Sequence, residues 1–156
     1  MTIEGSIALV LGASSGPGKA TAQRLATADC KDYGTSRRGV QAGRPSLQML
    51  PLDVTSDESV EEAVKPVVRQ HGHIDVLLNN AAFGVAPAGA EESSIEQAKA
   101  ILDTNFVGLV RMTGAVLPCM RRRAGVEKRV KEVLSHRNWP RRLTPGPREA
   151  QFRRDP

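Results

Sequence analysis

The sequence predicts an α/β fold: the first four strands of a doubly wound parallel sheet, in the order 3-2-1-4, with helices on both faces. Three observations carry this. Strand-like and helix-like segments alternate over residues 1–120 without a hairpin signal, the pattern of βαβ units. The strand candidates are short apolar runs with little polar alternation, as expected of a sheet buried on both faces. A glycine-rich turn, Gly12-Ala13-Ser14-Ser15-Gly16-Pro17-Gly18, stands between the first strand and the first helix.

Taken in order, Ser6 to Leu11 (SIALVL) is the first strand, and KATAQRLATA after the turn reads as a helix with Ala20, Ala22, Leu25 and Ala26 on one side. Tyr33 to Ser36 is a second strand and Leu47 to Val54 a third. Thr55 or Ser56 caps the next helix, where Asp57 and Glu58 suit the positive end of its dipole. That helix runs to His71, stops at Gly72 and is expected to kink at Pro66. Ile74 to Leu78 is the fourth strand, ending in Asn79-Asn80. Ser94 then caps one long helical stretch reaching about Met120.

Composition sets outer limits. With 156 residues, 40% hydrophobic and 25% charged, the chain has material for one globular core. No uninterrupted apolar run approaches the ~20 residues of a membrane span, so no membrane is expected. The opening stretch MTIEGSIALVLGASS lacks a basic n-region, which points to a cytoplasmic chain. Cys30 and Cys119 fit free thiols rather than a disulfide framework. No metal site is expected, and His71, His73 and His136 read as surface residues.

Charge divides the chain in two. Residues 1–120 carry 10 Lys/Arg and 13 Asp/Glu, a balance of −3, and residues 121–156 carry 12 and 4, a balance of +8. The boundary near Arg121 separates a first domain, 1–120, from a basic Arg/Pro-rich tail, 121–156. Val126, Val130, Val133 and Leu134 give the tail one short amphipathic helix; disorder is expected beyond Trp139. Such a tail attracts polyanions, yet Trp139 and Phe152 offer little base stacking, so nucleic-acid binding is not expected.

Glycines in a strand-to-helix turn let the backbone approach a pyrophosphate, whose oxygens the free N–H groups of the helix start then hold. At this point the sequence resembles the short-chain dehydrogenase/reductase family, whose fold is Rossmann-type. GASSGPG is similar to its cofactor turn and places Gly12, Ser14, Ser15, Gly16 and Gly18 at the cofactor. Asp53-Val54 resembles the acidic position that meets the adenine. Asn79-Asn80-Ala81-Ala82 resembles its Asn-Asn-Ala-Gly motif, with Asn80 and Ala81 at the cofactor. Asn105, in DTNFVG, matches the asparagine of the catalytic tetrad, and GTSRR (34–38) resembles the NADP-preferring branch.

The resemblance implies hydride transfer between a nicotinamide and a small alcohol or carbonyl substrate. An NAD site puts a carboxylate at the end of the second strand, whereas NADP needs a cation there. Ser36-Arg37-Arg38 has no acid, so NADP is expected over NAD, through Arg37 first and Arg38 second. Three departures weaken the pattern: Leu11 replaces a threonine, Pro17 deletes a backbone N–H, and Ala82 adds a methyl.

The catalytic half does not follow. The family's proton donor is a Tyr-x-x-x-Lys pair after the long helix, but Tyr33 is the only tyrosine and no lysine follows Lys131. Ser135 is the only serine near the place of the catalytic serine and reads as a loop residue. Asn105 stands as a tetrad remnant, and the expectation is an incomplete oxidoreductase, truncated or ending out of frame. The alternatives are a non-catalytic dinucleotide-binding protein and, behind it, a polyanion binder acting through the basic tail; the open edge of the fourth strand leaves room for association, including a homo-oligomer.

Overall fold

The computed structural model describes residues 3–38, 47–84 and 93–123. β1 (Ile7–Val10) lies between β2 (Lys31–Ser36) and β4 (Val76–Leu78), and β3 (Leu47–Pro51) pairs with the far side of β2. All pairs are parallel and the order is β3-β2-β1-β4, as the sequence predicts. The strand limits differ. β2 begins at Lys31 rather than Tyr33, because Lys31 pairs with Ile7. β3 ends at Pro51 rather than Val54, because the Asp53 carboxylate accepts from the Thr55 amide and turns the chain. β4 starts at Val76, since Asp75 spends its side chain on the Ile7 amide instead of extending the ladder.

Two cores sandwich the sheet. Val10, Ala13 and Leu47 meet Ala22 of α1 (Gly16–Thr27) on one face. Ala20 is exposed, so the small-residue side of α1 is narrower than its spacing suggests. On the other face Leu9, Leu11 and Tyr33 pack with Val60, Val64 and Val67 of α2 (Asp57–His71). Full burial of each valine contributes about 1.5–3 kcal/mol, which fixes α2 against the sheet. Of the two capping candidates Ser56 caps α2, its Oγ accepting from the Ser59 amide, and Gly72 closes it in the left-handed region at φ 77°. α2 continues through Pro66, which sits on the exposed side where water can satisfy the freed carbonyl.

The last helical stretch is not one helix. Ser94 and Gln97 form a reciprocal capping box at α3 (Ile95–Leu102). A π turn, Asp103–Val107, interrupts the run, and α4 (Gly108–Arg123) resumes it. α4 buries Met112, Val116 and Cys119 in the α2-side core. Gly108 is needed where it stands, because a Cβ there would lie 2.7 Å from Cγ2 of Val54. Ile95–Arg123 as a whole is long and apolar enough to cross a membrane by length and composition alone. Its charged residues are spaced widely enough to hide this from an inspection for unbroken runs. The inner side of α4 nevertheless packs on the sheet.

At the N-terminal end of the strands the polar groups bond to one another. Asp75 accepts from the Ile7 amide at 2.9 Å and pairs with His73 and Arg123. The Tyr33 hydroxyl meets His71 Nε2 at 2.7 Å and Gln70 Oε1 at 3.1 Å. Reading His71 and His73 as plain surface residues is therefore corrected: both are part-buried and bonded, because a parallel sheet needs its strand starts closed. Burial, with Lys31 and His73 nearby, lowers the His71 pKa, and burial raises that of Tyr33. Cys30 and Cys119 are buried free thiols.

Candidate functional site

At the opposite end of the sheet the strand ends and their loops surround a cavity of about 510 Å³. The turn after β1 supplies Gly12, Ser14, Ser15 and Gly16. Gly12 and Gly16 have φ of 69° and 55°, where a side chain is strained. Gly18 is not at the cavity wall; it works from behind. A Cβ on it would stand 2.4 Å from both the Gly12 carbonyl oxygen and Asn80 Nδ2, so only glycine lets α1 approach the turn. Asn80 Nδ2 donates to the Leu11 carbonyl at 3.2 Å, tying the turn that Leu11 lacks a hydroxyl to tie. Pro17 falls in the first turn of α1, where no intrahelical bond is lost. Ser15 makes no side-chain capping bond, and it lines the cavity with Gly16 and Pro17 at the start of α1.

β2 delivers Thr35, Ser36 and Arg37 to the wall. The Ser36 Oγ is buried and has no hydrogen-bond partner among the described residues. Arg38 is exposed and outside the lining, so of the two arginines only Arg37 reaches the cavity. Asp53 and Val54 also line it. Asp53 Oδ1 accepts from Thr55 Oγ1 at 2.7 Å and from the Thr55 amide at 2.9 Å. These bonds hold its pKa below the ordinary carboxylate value against desolvation, with Arg37 and Arg111 adding attraction. Arg111 also donates to the Val54 carbonyl at 2.6 Å and pairs with Asp57, fastening α4 to this wall.

Asn80, Ala81 and Ala82 close the remaining side. Asn105 occupies the π turn and clamps the loop beyond: Oδ1 accepts from the Phe83 amide and Nδ2 donates to the Phe83 carbonyl, both at 2.9 Å. It lines a smaller hollow of about 130 Å³, and Thr104 borders both spaces. π turns concentrate at functional sites, because the extra residue redirects one side chain.

The structure thus brings together Gly12, Ser14, Ser15, Gly16, Arg37, Asp53, Val54, Asn80 and Ala81. Sequence reasoning missed Ser36 Oγ as a lining group, Thr55, Thr104 and the Arg111 strap. Ser36 was legible from its place at the end of the second strand; Arg111 was not, since its partners lie far away in sequence. Tyr33 is buried in the α2-side core and bonded at the other end of the sheet. No cluster of three metal-ligating side chains occurs among the described residues. Ser135, His136 and the tail reading for 124–156 lie outside the described residues.

A glycine turn leading into a helix, a cation at the end of the second strand and an acid after the third together fit a dinucleotide: diphosphate at the turn, adenosine between β2 and β3. The orphaned Ser36 hydroxyl beside Arg37 is the observation that favours a ligand there. The class is therefore a Rossmann-type NAD(P)-binding unit. Residues 6–127 match the short chain dehydrogenase family, and the chain belongs to it.

Among relatives, a 3-ketodihydrosphingosine reductase of Bacteroides thetaiotaomicron is 43% identical over 116 residues, covering 74% of this chain and 42% of that one. An NADP-dependent 3-hydroxy acid dehydrogenase of Escherichia coli is 34% identical over 120 residues, covering 73% and 48%. A solved 3-ketoacyl-(acyl-carrier-protein) reductase from Brucella melitensis, complexed with NADH, superposes with a TM-score of 0.75 at 28% identity, covering 80% and 54%. The chain spans about half the length of the curated relatives it matches.

Proposed function

We propose that this chain is the cofactor-binding part of an NADP-dependent oxidoreductase acting on small alcohols or carbonyls in the cytoplasm. What supports NADP is the Ser36-Arg37 end of β2: a buried hydroxyl without a partner, a guanidinium at the cavity wall, and no carboxylate to meet a ribose 2′-OH. Arg37 would pair with the 2′-phosphate, and Ser36 would donate to it. The first-turn amides of α1, with Ser14 and Ser15, would hold the diphosphate. Asp53 would accept from the adenine amine, its carboxylate kept ionised by Thr55. Asn80 and Ala81 would position the nicotinamide half, and Asn105 would hold their loop through Phe83. When bound, the nicotinamide supplies or accepts the hydride. The names of the relatives, reductases and a hydroxy acid dehydrogenase, support alcohol–carbonyl interconversion.

The sequence has no Tyr-x-x-x-Lys pair after the long helix to act as the family's proton donor. Carbonyl reduction needs a proton at oxygen, and a positioned acid is worth typically ~10²–10⁴-fold. Neither Asn105 nor Asp53, an ionised carboxylate, provides one. The chain by itself is expected to bind NADPH without oxidising it above background on ketone or aldehyde panels. The missing Tyr-x-x-x-Lys pair also favours the second reading, a dinucleotide-binding protein without turnover of its own, with self-association through β4.

Titration with NADPH and NADH tests the assignment. NADPH should bind more tightly, and Arg37→Ala should raise its Kd about 10–100-fold, the loss of ~1.5–3 kcal/mol for a charge-assisted bond. NADH binding should not change. Equal affinities, or an NADH preference indifferent to Arg37, would remove NADP from the proposal.

A further inference from the structure

The cofactor reading leaves one buried acid unused. Asp32 lies in β2 opposite Ala8 of β1 and Leu47 of β3, and is 2% exposed. Among the described residues, neither of its carboxylate oxygens has a hydrogen-bond partner. Strand alternation puts it on the same face as Gly34, where an added Cβ would meet Ala13, Leu47 and Met49. Among the described residues the elements packed there offer no charge: β1 contributes Ala8 and Val10, β3 contributes Leu47 and Met49, and α1 turns Ala22 inward while Lys19 and Arg24 stay exposed. Lys31, the first residue of β2, and Asp29 before it are exposed as well. The titratable neighbour is Cys30, a buried thiol that donates to the Ile3 carbonyl at 3.0 Å. Its pKa is raised by burial and then by Asp32.

An ionised carboxylate in this setting has lost its water and gained nothing in return. We propose that Asp32 is a pH-sensitive latch within the sheet: the folded chain holds its carboxyl neutral, and ionisation on the alkaline side loosens β2 and, through it, the Ser36-Arg37 end of the cavity. Burial pushes its pKa up to about 7, against an ordinary value of 3.8. Because the folded state binds this proton more tightly than the unfolded state, stability is fully present below the ordinary value. It falls as pH rises through the window and is lost above about 7.

Urea unfolding of the full chain from pH 4 to 8.5, beside Asp32→Asn and Asp32→Val, decides the matter without any cofactor. Relative to Asp32→Asn, the wild-type unfolding constant should rise by about tenfold per pH unit across the window, the slope of one linked proton, and then level off. Asp32→Val fills the site with an apolar branched side chain and should be more stable than wild type at pH 8. Identical pH profiles for wild type and Asp32→Asn would overturn the latch. A wild type that gains on Asp32→Asn as pH rises would also overturn it, by revealing a cation partner. Carbon-13 titration of the Asp32 carboxyl gives a direct reading: a midpoint near neutrality supports the proposal, and one at or below the ordinary carboxylate range defeats it. The coupling to the cavity rests on the NADP reading, so NADPH affinity is compared at pH 6 and 8.5. A fall in wild type that Asp32→Asn abolishes supports the coupling, and equal falls in both defeat it. If NADPH fails to bind at all, the unfolding and carboxyl titrations still decide the latch.

Discussion

The two ends of the sheet are made from similar residues and do opposite things. At the N-terminal end Asp75, His73, Arg123, Tyr33, His71 and Gln70 find partners in one another, and Asp75 and Ile7 exchange two backbone-anchored bonds. At the C-terminal end the Ser15 side chain makes no capping bond, the Ser36 hydroxyl has no partner among the described residues, and Arg37 faces a cavity. A polar group satisfied within the chain contributes to stability; one left unsatisfied at a cavity wall is poised for a ligand. The same side-chain types thus serve closure at one end and recognition at the other, and the difference lies in what each can reach.

Three substitutions break or sharpen that contrast. The largest effect belongs to Gly18→Val, which places a branched side chain where even a Cβ would meet the Gly12 carbonyl at 2.4 Å. Overpacking of this kind should cost about 3 kcal/mol, and NADPH binding should disappear even where the chain remains folded by circular dichroism. Next is Asp75→Ala at the closed end. Leaving the Ile7 amide without its side-chain acceptor and Arg123 without its partner should lower stability by about 1–3 kcal/mol in urea. The NADPH Kd of the folded fraction should hold to about twofold, as expected of distant sites. If Asp75→Ala weakened binding as much as Arg37→Ala does, the two ends would not be separable. The smallest effect is Ser56→Ala, which removes the α2 cap and should cost about 1 kcal/mol with the Asp53–Thr55 bonds intact.

How much of this could be read from the sequence follows the range of the interactions. The strand order, the glycine turn and the cap of α2 are local in pattern, so apolar runs, Gly12–Gly18 and Ser56 announce them. Arg37 was legible by its distance from that turn, but its separation from Arg38 was not, because both follow the end of β2 in a turn. Asp32 was not, because one acid in KDYGTS carries no sign of which neighbours will bury it. The Arg111 strap joins residues on different helices, and no spacing rule reports a contact of that length. The π turn was hidden as well, since DTNFV has no local feature setting it apart from an α-helical turn.

That π turn has a consequence for the chain's tolerance of insertion and deletion. A π turn holds one residue more than an α turn, and each residue of an α-helix advances it by about 100°. The two halves of the Ile95–Arg123 run are therefore out of phase, like two gears meshed one tooth apart. α4 is the anchored half, through Met112, Val116 and Cys119, while α3 buries no side chain. Deleting one residue from Asp103–Val107 would restore a continuous α-helix and leave the core untouched. The correction would instead swing the unanchored half, and the side chain carried off with it would be Asn105, pulled from the Phe83 backbone it holds. One surplus residue is what lets the same helix grip the sheet and the loop at once.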